Sequence, residues 1–484
     1  MRRRRVLVVT LLLAFGLCAA IVGARGRALA AWLRGEGDLA GNPRYLPAHP
    51  VDRAALGRID LERLHAELIP DWAAAAAANG ERGGRARAAA ALAAVLAAVA
   101  PDANLTALFT ELAHRVARSP LRDAARIDWL VWAWSDYLDR AGLPWRLEGG
   151  VRLGGGRASF VAKTYHSTAE LRVTVGERPY RARLLERADW TNVYELYLGE
   201  ASRADEGALV VVDRVRDFAV ERVWPLLDAS IDATRTPLDR AFAAAIRAEV
   251  AAALPPRSVA VLRDTAPAHW TVREAVEAIH FRHRCGSDLV VEIFPWEGLP
   301  PAGRALLRRA ALGDHDPICP EVTAGEAKAL IGASERLEHA ERLVEALEGL
   351  VAWLARGVTV HESRHAADDD RADGLRTPLD CRGCPGGLDT GARAELSAYL
   401  ASFAAPGTGY ASLFQACEME DEEGTPHAAA LAFVRARLGT GGCKAAPPSD
   451  LYARARDLEE SLFDRAEAIS LPASFPRRLH AFPE

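Results

Sequence analysis

Apolar residues recur at helical spacing over about residues 52–142, alternate with a period of two over 150–225, and return to helical spacing from about 236. A chain that changes period in this way can be neither a pure helix bundle nor a β-sandwich, and the pattern predicts an α+β fold that is mainly α-helical. In the first stretch Leu61, Leu64 and Leu68 mark a helix that Asn79-Gly80 would stop. Further helices are expected over 85–100, 104–117 and 124–141. The last carries Trp129, Trp132 and Tyr137, which read as packed aromatic core before they read as a ligand platform. In the second stretch Leu171, Val173 and Val175 alternate with Arg172 and Thr174. After a Gly176–Pro179 turn, Tyr180, Ala182 and Leu184 repeat the alternation, which is a hairpin signal. Phe160–Thr164 and Ala208–Val212 read as further strands. The glycines at 154–156 lack the loop-to-helix context of a phosphate cradle and read as a hairpin tip. Beyond them come a helix over 236–254, a strand from Asp288 to Phe294, and helices after Pro301. Thr323-Ala-Gly-Glu326 has capping-box spacing, and Leu337, Ala340, Val344, Leu347, Val351 and Leu354 outline one long amphipathic helix. The expected organisation is a leader over 1–24, a helical region over 40–145, the β-rich region over 150–225, a mixed region over 226–330 and a helical domain over 331–484.

The start of the chain sets the compartment. Arg2 to Arg5 precede an apolar run from Val6 to Val22, and small residues at Gly23 and Ala24 precede Arg25. This is the layout of an export signal. Val22-Gly23-Ala24 would serve for cleavage, and the alternative is retention of residues 6–24 as a membrane tether. Either way the remaining chain is expected outside the cytoplasm, periplasmic or secreted. Cys285, Cys319, Cys381, Cys384, Cys417 and Cys443 are then an even set in an oxidising compartment, read first as disulfides. Nearest-neighbour pairing (285–319, 381–384, 417–443) is one arrangement among several.

Composition excludes some classes. Half the 484 residues are hydrophobic and 26 % charged, which is not the make-up of a disordered chain. A formal net charge of −5 with both signs interspersed lacks the basic stripe of a nucleic-acid binder, so no nucleic-acid partner is expected. No Gly-x-Ser-x-Gly elbow, Walker loop or thiol-protease context occurs. The acidic run Glu418 to Glu423 reads as a solvated loop. His280, His283 and Cys285, and His315 near Cys319, are better read as disulfides with nearby histidines than as a second metal site.

The informative stretch is His361-Glu362-x-x-His365. On a helix, residues four apart share a face, so two imidazoles can bind one Zn²⁺, while Glu362 can take a proton from a water at the metal. With 13 His in the chain, chance would yield such a match in roughly one chain in forty of this composition, so the surroundings must decide. A catalytic zinc needs a third protein ligand and an open position. Thirty residues on, 394–403 reads as a helix with Leu396, Leu400 and Phe403 on one face and Glu395, Tyr399 and Ser402 on another. Glu395 can therefore arrive from a second helix with Tyr399 one turn on.

Over about residues 350–405 the chain resembles the HExxH zincin metallopeptidases, in their gluzincin arrangement. The resemblance implies a zincin-like domain over 331–484, Zn²⁺ held by His361, His365 and Glu395, Glu362 as general base, and hydrolysis of peptide bonds in a peptide or protein substrate. Such enzymes often add a Tyr or His that hydrogen-bonds the developing oxyanion, for which Tyr399, Tyr410 and His427 are candidates. Two departures stand out: Arg364 where an uncharged residue is usual, near the metal-facing side, and the long 368–390 stretch with Cys381-x-x-Cys384. An i,i+4 pair with Asp368 would account for Arg364, and Asp368 itself fits a partner orienting His365 better than a ligand. Substrate could lie extended beside the strand at 288–294. Two other readings stay open. One is a structural zinc on His361, His365, Cys381 and Cys384. The other is a non-enzymatic envelope scaffold or binding protein with no metal at this segment.

Overall fold

The computed structural model describes residues 50–480 except 79–82, 119, 155–156, 190–197, 202–206, 229–237, 284–300, 314–321, 373–378, 419–423 and 443. The leader over 1–24, the strand expected at 288–294, the hairpin tip, the disulfide partners Cys285, Cys319 and Cys443, and nearly all of the acidic run lie outside the described residues. Among the described residues no helix is long and apolar enough to cross a membrane.

The fold is α+β and mainly helical, and the chain divides into two units. The first comprises residues up to Ser167 with Arg187–Val193, and the second Thr168–Glu186 with Tyr194 onward. The β-rich stretch is therefore shared between them.

In the first unit, α1 (Arg53–Leu56) and α2 (Leu61–Arg63) lead through a π-turn (Leu64–Leu68) into α3 (Ile69–Ala77). They are followed by α4 (Gly84–Val99), α5 (Ala103–Arg118) and α6 (Ala124–Arg140). Asp102 accepts from the Leu105 amide to start α5, and Gly142 at φ 75° follows the end of α6. The tryptophans of α6 are packed core, as expected: Trp129 and Trp134 are buried with Phe109, Phe160 and Trp72, and the half-buried Trp132 packs against them. His65 is buried among them. Its Nδ1–H donates to the Leu61 carbonyl at 2.8 Å and its Nε2 accepts from Trp134 Nε1 at 3.2 Å, which fixes the neutral tautomer. Strand β1 (Trp145–Gly154) pairs antiparallel with the first half of β2 (Arg157–Val175).

In the second unit, the rest of β2 is followed by β3 (Arg178–Arg187), with Gly176 at φ 60° making the turn where it was expected. Strand β4 (Gly199–Ala201) and β5 (Ala208–Val211) complete the order β1-β2-β3-β5-β4. β5 runs parallel to β3 and β4 antiparallel to β5, so β4 is the terminal strand of the path. A short β6 (Ile469–Ser470) adds to β2 at Thr174 and Val175. The helices are α7 (Val212–Phe218), α8 (Arg240–Ala253), α9 (Pro256–His283), α10 (Pro301–Ala311), α11 (Ala324–Glu338), α12 (Leu343–Arg371), α13 (Thr390–Phe403), α14 (Gly409–Glu418), α15 (Pro426–Leu438) and α16 (Leu451–Phe463).

The expected capping box starts α11, with Thr323 and Glu326 each bonding the other's backbone. The single helix expected through Leu337–Leu354 is corrected: α11 ends at Glu338 and α12 starts at Leu343. Arg342 between them is left-handed at φ 64°, with its guanidinium forked onto Glu345 at 2.9 Å. α12 is buried on most of its circumference, as a central helix must be, and packs against β4, β5, α9 and α13. Ala366 and Ala367, with no bulk to hold it off, set it against Val175 and Tyr180 of the sheet.

Candidate metal centre

α12 carries His361, Glu362 and His365, and α13 carries Glu395. Asp389 caps α13 by accepting from the Ala392 amide at 2.8 Å, which fixes the start of the helix five residues before Glu395. The helical spacing does what the sequence promised. The two Nε2 atoms of His361 and His365 stand 3.2 Å apart, and Glu395 Oε2 lies 3.5 Å from the first and 3.3 Å from the second. Among the described residues this is the one group of His, Cys, Asp or Glu with ligand spacing.

Four tetrahedral ligands at about 2.0–2.1 Å from zinc stand about 3.3–3.4 Å from one another, and the three observed separations fall around that length. The orientation of the groups adds to this. Glu395 Oε2 is buried and has three histidine nitrogens within 3.5 Å, yet no hydrogen bond to any of them has acceptable geometry. The Nε2 atoms of His361 and His365 approach this oxygen without pointing an N–H at it, which is the arrangement that two nitrogens and an oxygen sharing one cation would need. The residues present fit a zinc ion, with Cys381 and Cys384 taken up elsewhere: they are joined to each other in a disulfide. That pairing was one of the expected ones, and it leaves the structural-zinc alternative without its thiolates.

Electrostatics at the group follow from burial and charge. Burial drives His361 down to about 4, with the nearby Glu395 carboxylate acting the other way. Burial also acts to lower His365, but the charges of Glu395, Glu362 and Asp368 outweigh it and bring that imidazole to about 9. Burial opposes ionisation of Glu395, yet His365, His361 and His427 together hold it well below the usual carboxylate range. Glu362 is 7 % exposed, and burial, with the Glu395 charge adding and His365 opposing, pushes it up to about 8.

Glu362 lies under the sheet edge. A methyl group built on Gly199 of β4 would fall 2.6 Å from Glu362 Cγ and 2.8 Å from its Oε1, so only glycine lets this strand come so close to the carboxylate. Gly199 escaped the sequence reading, although a glycine within a strand is a general sign of close backbone approach. Among the described residues, β4 is the end strand of the sheet path that lies beside the candidate centre.

Tyr399 and His427 also reach the group. Tyr399 Oη is 3.1 Å from His427 Nδ1, its ring lies 5.1 Å from that of His361, and His427 Nδ1 is 3.0 Å from Glu395 Oε2. The hydroxyl of Tyr410 instead donates to the Pro448 carbonyl.

Two expectations are corrected. Arg364 does not pair with Asp368, and none of its hydrogen bonds goes to the metal-facing groups. It is fully buried and donates to Glu459, to Glu467 Oε2 at 3.1 Å and to the Glu467 carbonyl at 3.3 Å. Asp368 does not hydrogen-bond His365. Its Oδ1 takes Arg371 at 3.1 Å and Arg465 at 2.6 Å, and its Oδ2 has no hydrogen-bond partner. The cause is the chain end: the 459–467 segment offers Glu459, Arg465 and Glu467 to this side of α12, and each buried charge finds its opposite there. The chain matches no family model, no curated protein and no solved structure.

Proposed function

We propose that this chain is an exported zinc-dependent metallopeptidase that hydrolyses peptide bonds of a peptide or protein substrate. The observation that carries the reading is the convergence of His361 Nε2, His365 Nε2 and Glu395 Oε2 at 3.2–3.5 Å from one another, with the Glu395 oxygen unpaired by hydrogen bonds. A zinc ion held by these three residues would supply an electrophile for the scissile carbonyl and a lowered pKa for water in its open position. Glu362, one residue along from His361, takes the proton of the attacking water and hands it to the departing amine. β4 supports an extended substrate, since a terminal strand can pair with peptide backbone and Gly199 brings this one onto Glu362. Export rests on the charged and apolar start of the sequence and agrees with the Cys381–Cys384 disulfide.

The test is Glu362→Gln in the zinc-loaded protein, assayed on a library of internally quenched peptides. The proposal expects cleavage by the parent and a loss of at least about 100-fold in the variant with zinc content unchanged. A variant as active as the parent would refute the assignment of Glu362. A zinc-loaded parent that cleaves nothing would favour the non-enzymatic scaffold.

A further inference from the structure

Cys381 and Cys384 are joined in a disulfide that encloses only Arg382 and Gly383. A bridge across so short a loop removes little freedom from the unfolded chain, so it adds little as a staple. The 379–389 segment is also held without it. Leu379 and Leu388 are in the core, and Arg393 of α13 donates to their carbonyls at 3.0 and 3.2 Å. Between the cysteines, the Arg382 amide donates to the Leu462 carbonyl at 2.6 Å, and its guanidinium forks onto Asp464 at 3.2 and 3.0 Å. The Gly383 carbonyl accepts from Arg437 at 3.4 Å, and Gly383 takes the left-handed φ of 74° that turns the chain from one cysteine to the other. These contacts, none of which involves sulfur, hold the chain on both sides of the pair and between its members. The pair is also within reach of solvent: both cysteines are half-buried, and Arg382, Gly383 and Pro385–Gly387 around them are exposed.

We propose that Cys381 and Cys384 form a thiol–disulfide exchange site, a redox couple separate from the candidate metal centre, whose substrates are external dithiols and disulfides. A thiolate of an external dithiol attacks one of the two cysteine sulfurs. The S–S bond breaks, the other cysteine leaves as a thiolate and takes a proton from water, and a mixed disulfide forms. The second thiol of the dithiol loses its proton, attacks its partner sulfur in the mixed disulfide and releases the first cysteine, which is protonated in turn. The external dithiol ends as a disulfide, and its two electrons leave Cys381 and Cys384 as two thiols. Because the segment stays anchored, the reduced cysteines remain side by side, and an external disulfide reverses each step.

The experiment exposes the full protein first to dithiothreitol and then to its oxidised form at neutral pH. Free thiols are trapped with iodoacetamide and assigned by peptide mass mapping, and circular dichroism reports the fold. Cys417, which is also disulfide-bonded and is 8 % exposed, is the internal control. The 381–384 bridge should open in the folded protein at least about 10-fold faster than the bridge at Cys417, since exchange depends on access, and it should close again in the oxidised reagent. The Cys381→Ser/Cys384→Ser variant should fold as the parent does. Opening that comes only with loss of the native dichroism signal, or a double variant that fails to fold, makes the bridge a structural staple and overturns the proposal. Opening no faster than at Cys417, or a reduced pair that does not close again in the folded protein, overturns it as well.

Discussion

At Gly199 a single methyl group would meet Glu362 Cγ, Glu362 Oε1 and the Leu209 carbonyl, all within 2.8 Å. Two of these belong to the proposed general base and one to the neighbouring strand, so the larger residue must displace either the carboxylate or β4. Gly199→Ala should therefore keep its zinc and lose about 10- to 100-fold in turnover, because a misplacement of about 1 Å at a reacting group has that effect; zinc content and kcat measured side by side check it. Arg364 makes a second case. It is fully buried against Glu459, which is itself 2 % exposed, and removal of one partner from such a pair costs about 3–5 kcal/mol. Arg364→Met should show that loss in a urea melt, and Arg364→Met with Glu459→Leu should recover much of it. A single variant as stable as the parent would contradict the buried network. At this scale the sequence was legible where partners are four apart on one helix, as for His361 and His365. It was silent where they are far apart: Arg364 and Glu459 are separated by 95 residues, and local spacing favoured Asp368 instead.

Among the elements, the two helices that bring the proposed ligands together differ in how they are held. α12 is fixed by burial, with Leu347, Leu350, Val351 and Leu354 in the core, whereas the start of α13 depends on the Asp389 cap. Asp389→Ala should destabilise the protein by about 1 kcal/mol in a denaturant melt; an unchanged midpoint would show that the cap does not hold the helix start. The 323–326 box, the hairpin turn at Gly176 and the helix at 394–403 were readable because each rests on local chemistry: a side chain bonding a nearby amide, a left-handed glycine, a 3.6-residue period. The break between α11 and α12 was not. Apolar spacing runs straight through 339–342, and the interruption comes from Arg342 in a left-handed conformation without glycine or proline to announce it. β4 is only three residues long, too short for alternation to register.

Across the whole molecule, each unit contains a buried neutral histidine: His65 in the first and His269, stacked on Trp224 at 4.2 Å, in the second. Burial drives both from the ordinary 6.5 to about 4. Above pH 6.5 neither the folded nor the unfolded chain protonates these rings appreciably. Between 6.5 and about 4 the unfolded chain takes up protons that the folded one refuses, so stability falls as the pH falls. Each ring should withdraw up to about 3 kcal/mol over that window, while a raised carboxyl such as Glu362 acts the other way. The histidine share is isolated by His269→Gln, which can keep a donor to the Val220 carbonyl without a titrating ring, so urea melts at pH 7, 5.5 and 4 should show the variant losing less stability than the parent as the pH falls. An equal change in the two proteins would contradict it. The α+β class and the mainly helical content were readable from the changes of hydrophobic period, while the division of the β-rich stretch between two units depends on contacts far apart in sequence.

On the proposed reading His361, His365 and Glu395 are the ligands of one zinc ion, and the zinc content of the purified 25–484 segment, kept oxidised, measured beside Glu395→Ala decides it. One zinc per chain in the parent and a marked loss in the variant is the predicted result. Zinc fully retained without Glu395, or absent from both proteins, would contradict it.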